Sequence, residues 1–569
     1  MSALINKDSD KEVVTTMNRG LNSLVYSRRS LFKLSGAIGI AGILQACAGA
    51  EQPPVVKTVS ATPKPSVGTA PVLQATPTSG PVVSGTKAAG PKRGGTLTVA
   101  RMMGIDEFNP FHPSAGQVPL QRAVWNSVAH YDGRSTLQPE LAERWDISSD
   151  GKQVTLKLRV GVKFHSGQEF TAEDVKASVE FASTDPSSTS ITNFKTIEKV
   201  ETPDKYTAVL HLKGFPAGIY DLLDMLYIID RQTIGDRGKT ANGTGPFRLE
   251  KFVPNDRAEF APFKEYWEAG KPYLDKYIVR EIPDPSSLTI NLEAGSVDCI
   301  FQPPFVDAAR LKNVPNYVVD SGPEGQIFDI AFLCTKEPFT DKRVRQAVGR
   351  CIDSVRFCEI VERGLVKPSC LMWPRQSWAY FEDLEGKLSY DLDAARSLLK
   401  AAGLEKGFET EIVCSSQRTA GTGDLAQILQ ADLAKVGIKA KLSDVESAVW
   451  DSRRNKGEAP IWTHSYGKAN LDPGTLLTST VAWGSGEKEG NMTRWTSDEW
   501  VRLRSELQSV LGQEKRKPIC RKIQEIALDE CQRIPVAPQA QPWVYARYLK
   551  GFSYTPSNNP NVADLWLEK

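Results

Sequence analysis

Apolar and polar positions along this chain repeat with two different periods, and the periods separate strands from helices. Gly94-Gly95 leads into residues 96–100, where Leu97 and Val99 alternate with Thr96 and Thr98, which predicts a first strand. Residues 145–159 read as strand, Asp150-Gly151 turn and strand, with Val154, Leu156 and Leu158 on one face. Thr171 and Asp174 have capping-box spacing, and Val175, Val179 and Ala182 carry the apolar stripe of the helix that follows. Residues 200–212 predict a further strand pair. In the second half, Asp391 caps a helix that stops at Gly403, and a helix ending at Gly437 runs into an alternating strand over 438–442. The first region is thus mixed, with antiparallel hairpins, and the second has the helix-to-strand order of α/β construction.

The N-terminus carries a different signal. Arg28-Arg29 precede an apolar stretch over 34–44, the arrangement of an export signal, and the paired arginines resemble a twin-arginine signal. Leu44-Gln45-Ala46-Cys47 resembles the lipobox of bacterial lipoproteins, which implies cleavage before Cys47 and a lipid anchor on its sulfur. Residues 48–92 contain eight prolines and no aromatic residue, a composition that cannot bury enough surface to fold, so a tether is expected up to about 92. The 569 residues are enough for three or four packing units at roughly 100–200 residues each. Lys+Arg 70 against Asp+Glu 68 leaves a net charge of +2, which excludes nucleic-acid binding through a global basic surface. The apolar run over 34–48 is shorter than an ordinary span of about 20 residues, so the protein does not cross a membrane several times.

Several stretches in series resemble the extracytoplasmic solute-binding proteins of ABC importers, family 5, which includes peptide- and nickel-binding members. They are residues 158–167 with 170–175, Asn242-Gly243-Thr244-Gly245-Pro246-Phe247, Glu265-Tyr266-Trp267 with 272–275, 295–298, 339–347, 351–353 and the helix from Asp391. The resemblance runs from Gly94 to Tyr554. It implies an α/β, two-lobed periplasmic-binding-protein type II fold with an extra subdomain on the N-terminal lobe, hinged around a solute. The expected organisation is a signal peptide over 1–46, a lipidated tether over 47–92, lobe I from 93–130, 241–334 and 531–569, the extra subdomain over 131–240 and lobe II over 335–530. Most of the quoted motifs are expected to be scaffold: a turn at His165-Ser166-Gly167, caps at Asp341 and Asp391, and backbone angles at Gly243 and Gly245 that a side chain would forbid.

In the family's peptide-binding members, a carboxylate three residues after a Trp and three before an Asp-Pro pair captures the peptide's amine. Counting forward from Trp462 gives Ser465, and counting back from Asp472-Pro473 gives Ala469; neither is acidic. Trp373, Trp378, Trp462, Trp483 and Trp495 fall in or near loops that the resemblance places at the cleft, where indoles suit an oligosaccharide or other neutral solute. The candidate ligand contacts are Trp462, His464, Ser465, Trp483, Asn491 and Trp495 in the second lobe, with Asn109 and Gln302 in the first.

Catalytic chemistry finds little support. The five histidines, His112, His130, His165, His211 and His464, form no HExxH pair, and no partnered Gly-x-Ser-x-Gly is present. The end of a phosphate loop at Gly238-Lys239-Thr240 lacks its leading glycine, so ATP binding belongs to a partner. Within the resembled family a nickel or haem role would use His464, but no cofactor, metal or catalytic residue is expected. Eight cysteines follow Cys47 without a Cys-x-x-Cys pair; export permits disulfides, while Cys351 and Cys358, seven apart on one predicted helix, are too far apart to bond.

The expected function is therefore a lipid-anchored monomeric receptor, exported to the outer face of the cell membrane or the periplasm. It would capture an oligopeptide-like or other small solute and deliver it to an ABC permease. An oligosaccharide, metal or cofactor receptor of the same fold, a signalling or adhesion receptor, and a hydrolase are the alternatives.

Overall fold

The computed structural model describes residues 90–104, 108–111, 118–132, 135–186, 188, 191–213, 218–236, 241–479, 482–484 and 491–569. The export signal, Cys47, most of the tether, His112 and Gly238-Lys239-Thr240 lie outside them.

The predicted first strand is Thr96–Arg101. It lies parallel to Lys276–Glu281, with Val99 opposite Val279, and parallel to Cys299–Phe301 on its other side. These are the middle of a seven-stranded sheet ordered Tyr317–Asp320, Trp543–Ala546, Cys299–Phe301, Thr96–Arg101, Lys276–Glu281, Arg257–Pro262, Phe247–Val253. Sequentially distant strands meet at its centre, so this first lobe is assembled from both ends of the folded chain.

A second, antiparallel sheet is appended to it, ordered Ala142–Ile147, Gln153–Leu158, Thr207–Leu212, Ile197–Asp204. Val154, Leu156 and Leu158 are buried as their alternation predicts. Helix Ala172–Thr184 covers this layer behind the predicted capping box, in which Asp174 also accepts the Thr171 N–H at 2.9 Å. One continuous apolar core joins Leu97 and Tyr277 to Leu156, Val175 and Leu223, so the extra layer shares its interior with the first lobe. Gly243 and Gly245 do matter, for a reason other than backbone angle. A Cβ at Gly243 would stand 2.1 Å from the Val124 carbonyl oxygen, and one at Gly245 2.6 Å from that of Ala123. Close approach of two chain segments, rather than positive φ, requires glycine there.

The second lobe is built on a five-stranded sheet ordered Lys439–Asp444, Glu409–Cys414, Ile461–Tyr466, Ile327–Phe332, Arg533–Pro538. Glu409–Cys414 runs parallel to both neighbours, and Ile327–Phe332 antiparallel to both of its own. The helix predicted at Asp391 is Leu392–Ala401, with the Asp391 carboxylate accepting the N–H groups of Asp393 and Ala394 at 3.1 and 2.9 Å. Helix Thr422–Ala434 precedes strand Lys439–Asp444, giving the anticipated α/β order.

The lobe boundaries move relative to the sequence expectation. Ile327–Phe332 and the whole of Arg533–Pro538 fall inside the ranges expected for lobe I, yet both strands belong to the second sheet. Every residue of both is buried, so neither shows the in-out alternation that would mark its layer. The chain instead crosses between sheets over 321–326 and over 539–542. The two crossovers lie side by side, with the N–H of Gln541 donating to Ser321 O and that of Gln539 to Gln326 O, each at 2.8 Å.

All eight cysteines among the described residues are free. Cys351 and Cys358 do not share a helix: Cys351 closes Lys342–Arg350, and Cys358 lies in Ser354–Ile360, which restarts at an Asp353 cap. Burial pushes both thiols up to about 12, so neither is a ready nucleophile. No helix among the described residues is long and apolar enough to cross a membrane.

Candidate functional site

The crossovers and the C-terminal segment bound a cavity of about 180 Å³. Asp132 and Ser135 line it from between the short paired strands Ala129–Tyr131 and Leu137–Pro139, Asp320 from the end of strand Tyr317–Asp320, Pro323 and Glu324 from the first crossover, and Gln376 and Asn470 from the second lobe. The segment 552–556 closes the remaining wall. Every main part of the fold thus contributes to one small space, the arrangement by which lobed proteins enclose a ligand.

Asn470 ties these parts together. Its backbone carbonyl accepts the Ser135 hydroxyl at 3.1 Å, and its side-chain amide donates to Pro556 O. The amide also packs on Gly325, where a Cβ would stand 2.7 Å from Asn470 Oδ1. Next to it, Ala469 donates its N–H to Gly325 O at 3.1 Å.

A second polar junction connects the lobes beside the cavity. Asp221, on helix Ile219–Met225, accepts the Tyr131 hydroxyl at 2.8 Å, the Asp472 N–H at 3.0 Å and the Thr475 hydroxyl. Asp472 in turn receives both guanidinium nitrogens of Arg516 at 2.6 and 2.5 Å, a bidentate buried pair. Arg516 stands over the Trp378 ring at 5.4 Å. Burial, and then the facing charge of Asp472, pushes the Asp221 carboxyl up to about 6.

The cavity's own carboxylates differ in how well they are satisfied. Asp320 accepts the Tyr554 hydroxyl at 2.6 Å and the Gly322 N–H at 2.9 Å. Asp132 accepts the Thr136 N–H and the Gln138 amide, each at 3.0 Å. Glu324 has only the Arg375 N–H at 3.3 Å and its guanidinium at 3.9 Å, and burial pushes its carboxyl up. Gln376 Oε1 is buried without a hydrogen-bond donor.

The eight residues expected from sequence to contact a ligand lie elsewhere, and none lines this cavity. Trp462 is 1% exposed and packs edge-to-face on Trp450 at 5.4 Å in a small interior cluster with Met492. His464 stacks on the other side of that cluster, 5.2 Å from the Trp450 ring, with Nδ1 3.5 Å from Asp329. Burial lowers its pKa, so it is a neutral ring beside the buried Asp329–Arg533 pair. Ser465 accepts the Gln326 amide at 2.8 Å. Trp483 and Trp495 join Tyr466 and Trp500 in an aromatic interior, with Trp495 Nε1 donating to Glu530 at 3.2 Å. Asn491 is buried and accepts from Thr493. Asn109 donates to Asp185 at 3.1 Å inside the first lobe, and Gln302 donates its N–H to Pro542 O at 2.8 Å beside the crossover. Of the other indoles, Trp373 is fully buried and Trp378 half-buried. Among the described residues, no group of three His, Cys, Asp or Glu side chains is placed to hold a metal ion.

Sequence reasoning missed Asp132, Asp320, Glu324, Gln376 and the C-terminal Tyr554. A signal did exist for Glu324. Gly322-Pro323-Glu324-Gly325 is a turn-rich interruption between two apolar segments, which marks a crossover carrying an acid.

The profile of the bacterial extracellular solute-binding proteins, family 5 (middle region), matches residues 136–487, and the chain belongs to that family. Haem-binding protein A of Haemophilus influenzae is 28% identical over 467 residues, covering 76% of this chain and 85% of its own. Di/tripeptide-binding protein 1 of Pseudomonas aeruginosa is 27% identical over 456 residues, covering 74% and 84%. The dipeptide-binding protein of Escherichia coli is 26% identical over 487 residues, covering 80% and 90%. Among solved structures, HbpA2 from Haemophilus parasuis superposes with a TM-score of 0.76 at 24% identity, covering 84% of this chain and all of its own. The ABC transporter-associated periplasmic binding protein DppA from Helicobacter pylori, in complex with the peptide STSA, superposes with a TM-score of 0.63 at 25% identity, covering 84% and 99%. These likenesses bear out the two-lobed α/β fold expected from sequence, and the relatives named are solute-binding proteins.

Proposed function

We propose that this protein is the extracytoplasmic receptor of an ABC importer, and that a small peptide-like solute occupies the cavity between its lobes. The observation that carries this reading is the convergence of both lobes, a crossover and the C-terminal segment on one cavity of about 180 Å³ that three carboxylates line. That size lies below the roughly 300–1,000 Å³ of drug-sized pockets, which favours a di- or tripeptide over a long chain. The names of the di- and tripeptide-binding relatives support the same class.

Residues holding the solute from both lobes would stabilise the lobes' mutual arrangement, and the permease would read that arrangement. Arg28-Arg29 and Cys47 support export as a lipoprotein held at the outer face of the membrane. The test is native mass spectrometry of the exported protein, purified without refolding, followed by denaturing analysis of any small molecule released. A co-purified peptide supports the reading. A sugar or a cofactor in its place would refute the peptide class.

A further inference from the structure

Two buried carboxylates come together where the lobes meet, and one cation stands with them. Asp221, on helix Ile219–Met225 of the first lobe, is 2% exposed, and Asp472, in the second lobe, is 4% exposed. Arg516 spends both terminal nitrogens on Asp472. Asp221 has no salt-bridge partner among the described residues. Its donors are neutral: the Tyr131 and Thr475 hydroxyls and the Asp472 N–H. The other ionisable groups packed around it do not supply the missing charge. Asp224, on the same helix, is a further acid, and Arg122 is bound to Glu140 at 2.6 Å. Burial holds the His130 ring toward its neutral form and the Tyr131 and Tyr220 phenols in their protonated form. A carboxylate so enclosed is destabilised by lost hydration and then by the charge of Asp472.

The hydrogen bonds around Asp221 leave a place for a proton. Oδ1 accepts both the Tyr131 hydroxyl at 2.8 Å and the Asp472 N–H at 3.0 Å, whereas Oδ2 meets the Thr475 hydroxyl. A hydroxyl can accept as well as donate, so a proton on Oδ2 reverses the bond to Thr475 and breaks none. Parting the lobes acts differently. Two of the three partners belong to the second lobe, so separation replaces them with water and carries Asp472 away, which returns the carboxyl to its ordinary range near about 4.

We propose that Asp221 is a proton-operated clasp between the lobes: it takes up a proton as they join and releases it as they part, so acidic surroundings favour the joined arrangement. The clasp goes beyond the receptor reading and does not require the cavity to be the solute site. Linkage sets its direction. A carboxyl raised to about 6 in the joined arrangement stabilises that arrangement fully below about pH 4, and the contribution is lost as pH rises through about 6. The ratio of joined to parted lobes should therefore rise about tenfold from pH 8 to pH 5. A receptor built this way releases its solute more slowly in an acid medium.

The test is amide hydrogen exchange on the purified, ligand-free, full-length protein at pH 5 and pH 8, with each rate corrected for the intrinsic pH dependence of exchange. The Asp472 amide, whose N–H reaches Asp221 across the junction, reads the separation. Amides of strands Gln153–Leu158 and Glu409–Cys414, one in each lobe, serve as the reference for global unfolding. In the wild type, protection of the Asp472 amide relative to those strands should be about tenfold greater at pH 5 than at pH 8. Asp221→Asn carries the neutral form permanently, with an oxygen for the Tyr131 and Asp472 donors and an amide that donates to Thr475. It should show equal protection at the two pH values, at the wild-type pH 5 level, and a melting temperature within a few degrees of wild type confirms that it folds. The wild-type comparison stands without the variant. Relative protection that does not change with pH in the wild type, or a pH response that persists in Asp221→Asn, overturns the clasp and leaves the receptor reading standing.

Discussion

Asp221, on the first lobe's extra layer, accepts the backbone N–H of Asp472, in the second lobe, at 3.0 Å. The same carboxylate takes the Thr475 hydroxyl, while Arg516 holds the Asp472 side chain from behind. A single acidic group therefore orders a loop of the opposite lobe beside the cavity. Removing it takes an acceptor from the buried Asp472 N–H and from the Tyr131 and Thr475 hydroxyls, and a buried donor left unsatisfied costs about 1–3 kcal/mol. Asp221→Ala is accordingly expected to loosen the loop over 472–475, with amide exchange there at least tenfold faster. Exchange unchanged from wild type would mean that Asp221 only fills space.

Trp462 gives the opposite kind of expectation. Its indole lies against Trp450, Met492 and Val413 in the interior of the second lobe, out of reach of the cavity. Truncating a fully buried Trp to Ala costs about 3–5 kcal/mol, through lost transfer energy and the cavity left behind. Trp462→Ala should lower the thermal midpoint clearly while the folded fraction binds solute with wild-type affinity. Unchanged stability with weakened binding would return Trp462 to the ligand site.

That contrast explains how much of the molecule was legible beforehand. The hairpin at 145–159, the caps at Thr171 and Asp391 and the Gly-terminated helices depend on neighbours in the chain, and each is found where the pattern predicts it. The two-lobed class was legible from the order of the quoted motifs. The crossovers were not, because Ile327–Phe332 and Arg533–Pro538 are buried on both faces and carry no period. The cavity was least legible of all. It joins Asp132, Glu324, Asn470 and Tyr554, which are 84 or more positions apart, whereas the aromatic residues that attracted attention satisfy each other inside the second lobe.

Two carboxyls held high by burial give the stability a specific pH dependence. Asp224, which accepts the Tyr131 N–H at 2.9 Å, is pushed up to about 7, and Glu362, which accepts the Ala540 N–H at 2.8 Å in the second crossover, is also pushed up to about 7. Each folded-state value exceeds the unfolded one of about 4, so the folded state binds more protons between the two. Their contribution is fully present below about pH 4 and is lost as pH rises through about 7. Asp224→Asn and Glu362→Gln remove this loss. Each variant should gain stability relative to wild type as pH is raised from 5 to 8, by about 1 kcal/mol or more, in paired thermal melts. A difference that stays constant across that range would show that burial does not perturb these groups.

The proposed lipid anchor would rest on one atom, the sulfur of Cys47. Two or three acyl chains at about 0.8 kcal/mol per buried methylene hold a protein durably, whereas the described residues include no helix that could substitute. Cys47→Ser should release the protein into the soluble fraction of its host without altering solute affinity. Retention of the variant on membranes would refute the lipobox assignment.

Gly322 lies against the second crossover, and its replacement tests whether the contact between the two segments matters. Its φ of +77° is one that side-chain-bearing residues rarely adopt, and a Cβ there would stand 2.3 Å from the carbonyl oxygen of Gln541 on the other crossover. That oxygen belongs to the residue whose N–H bonds Ser321, so the clash acts directly on the hydrogen bond that pairs the two segments. Gly364 supplies the control: its φ is +69°, but nothing lies within 4 Å of its would-be Cβ. Gly364→Ala should lose only the backbone preference, about 1 kcal/mol. Gly322→Ala adds the displacement of one crossover from the other, so it should lose at least twice as much stability and also weaken solute binding, because Asp320 and Glu324 flank the displaced residue and line the cavity. Equal losses in the two variants would show that the crossovers can separate freely, and that solute affinity does not depend on their pairing.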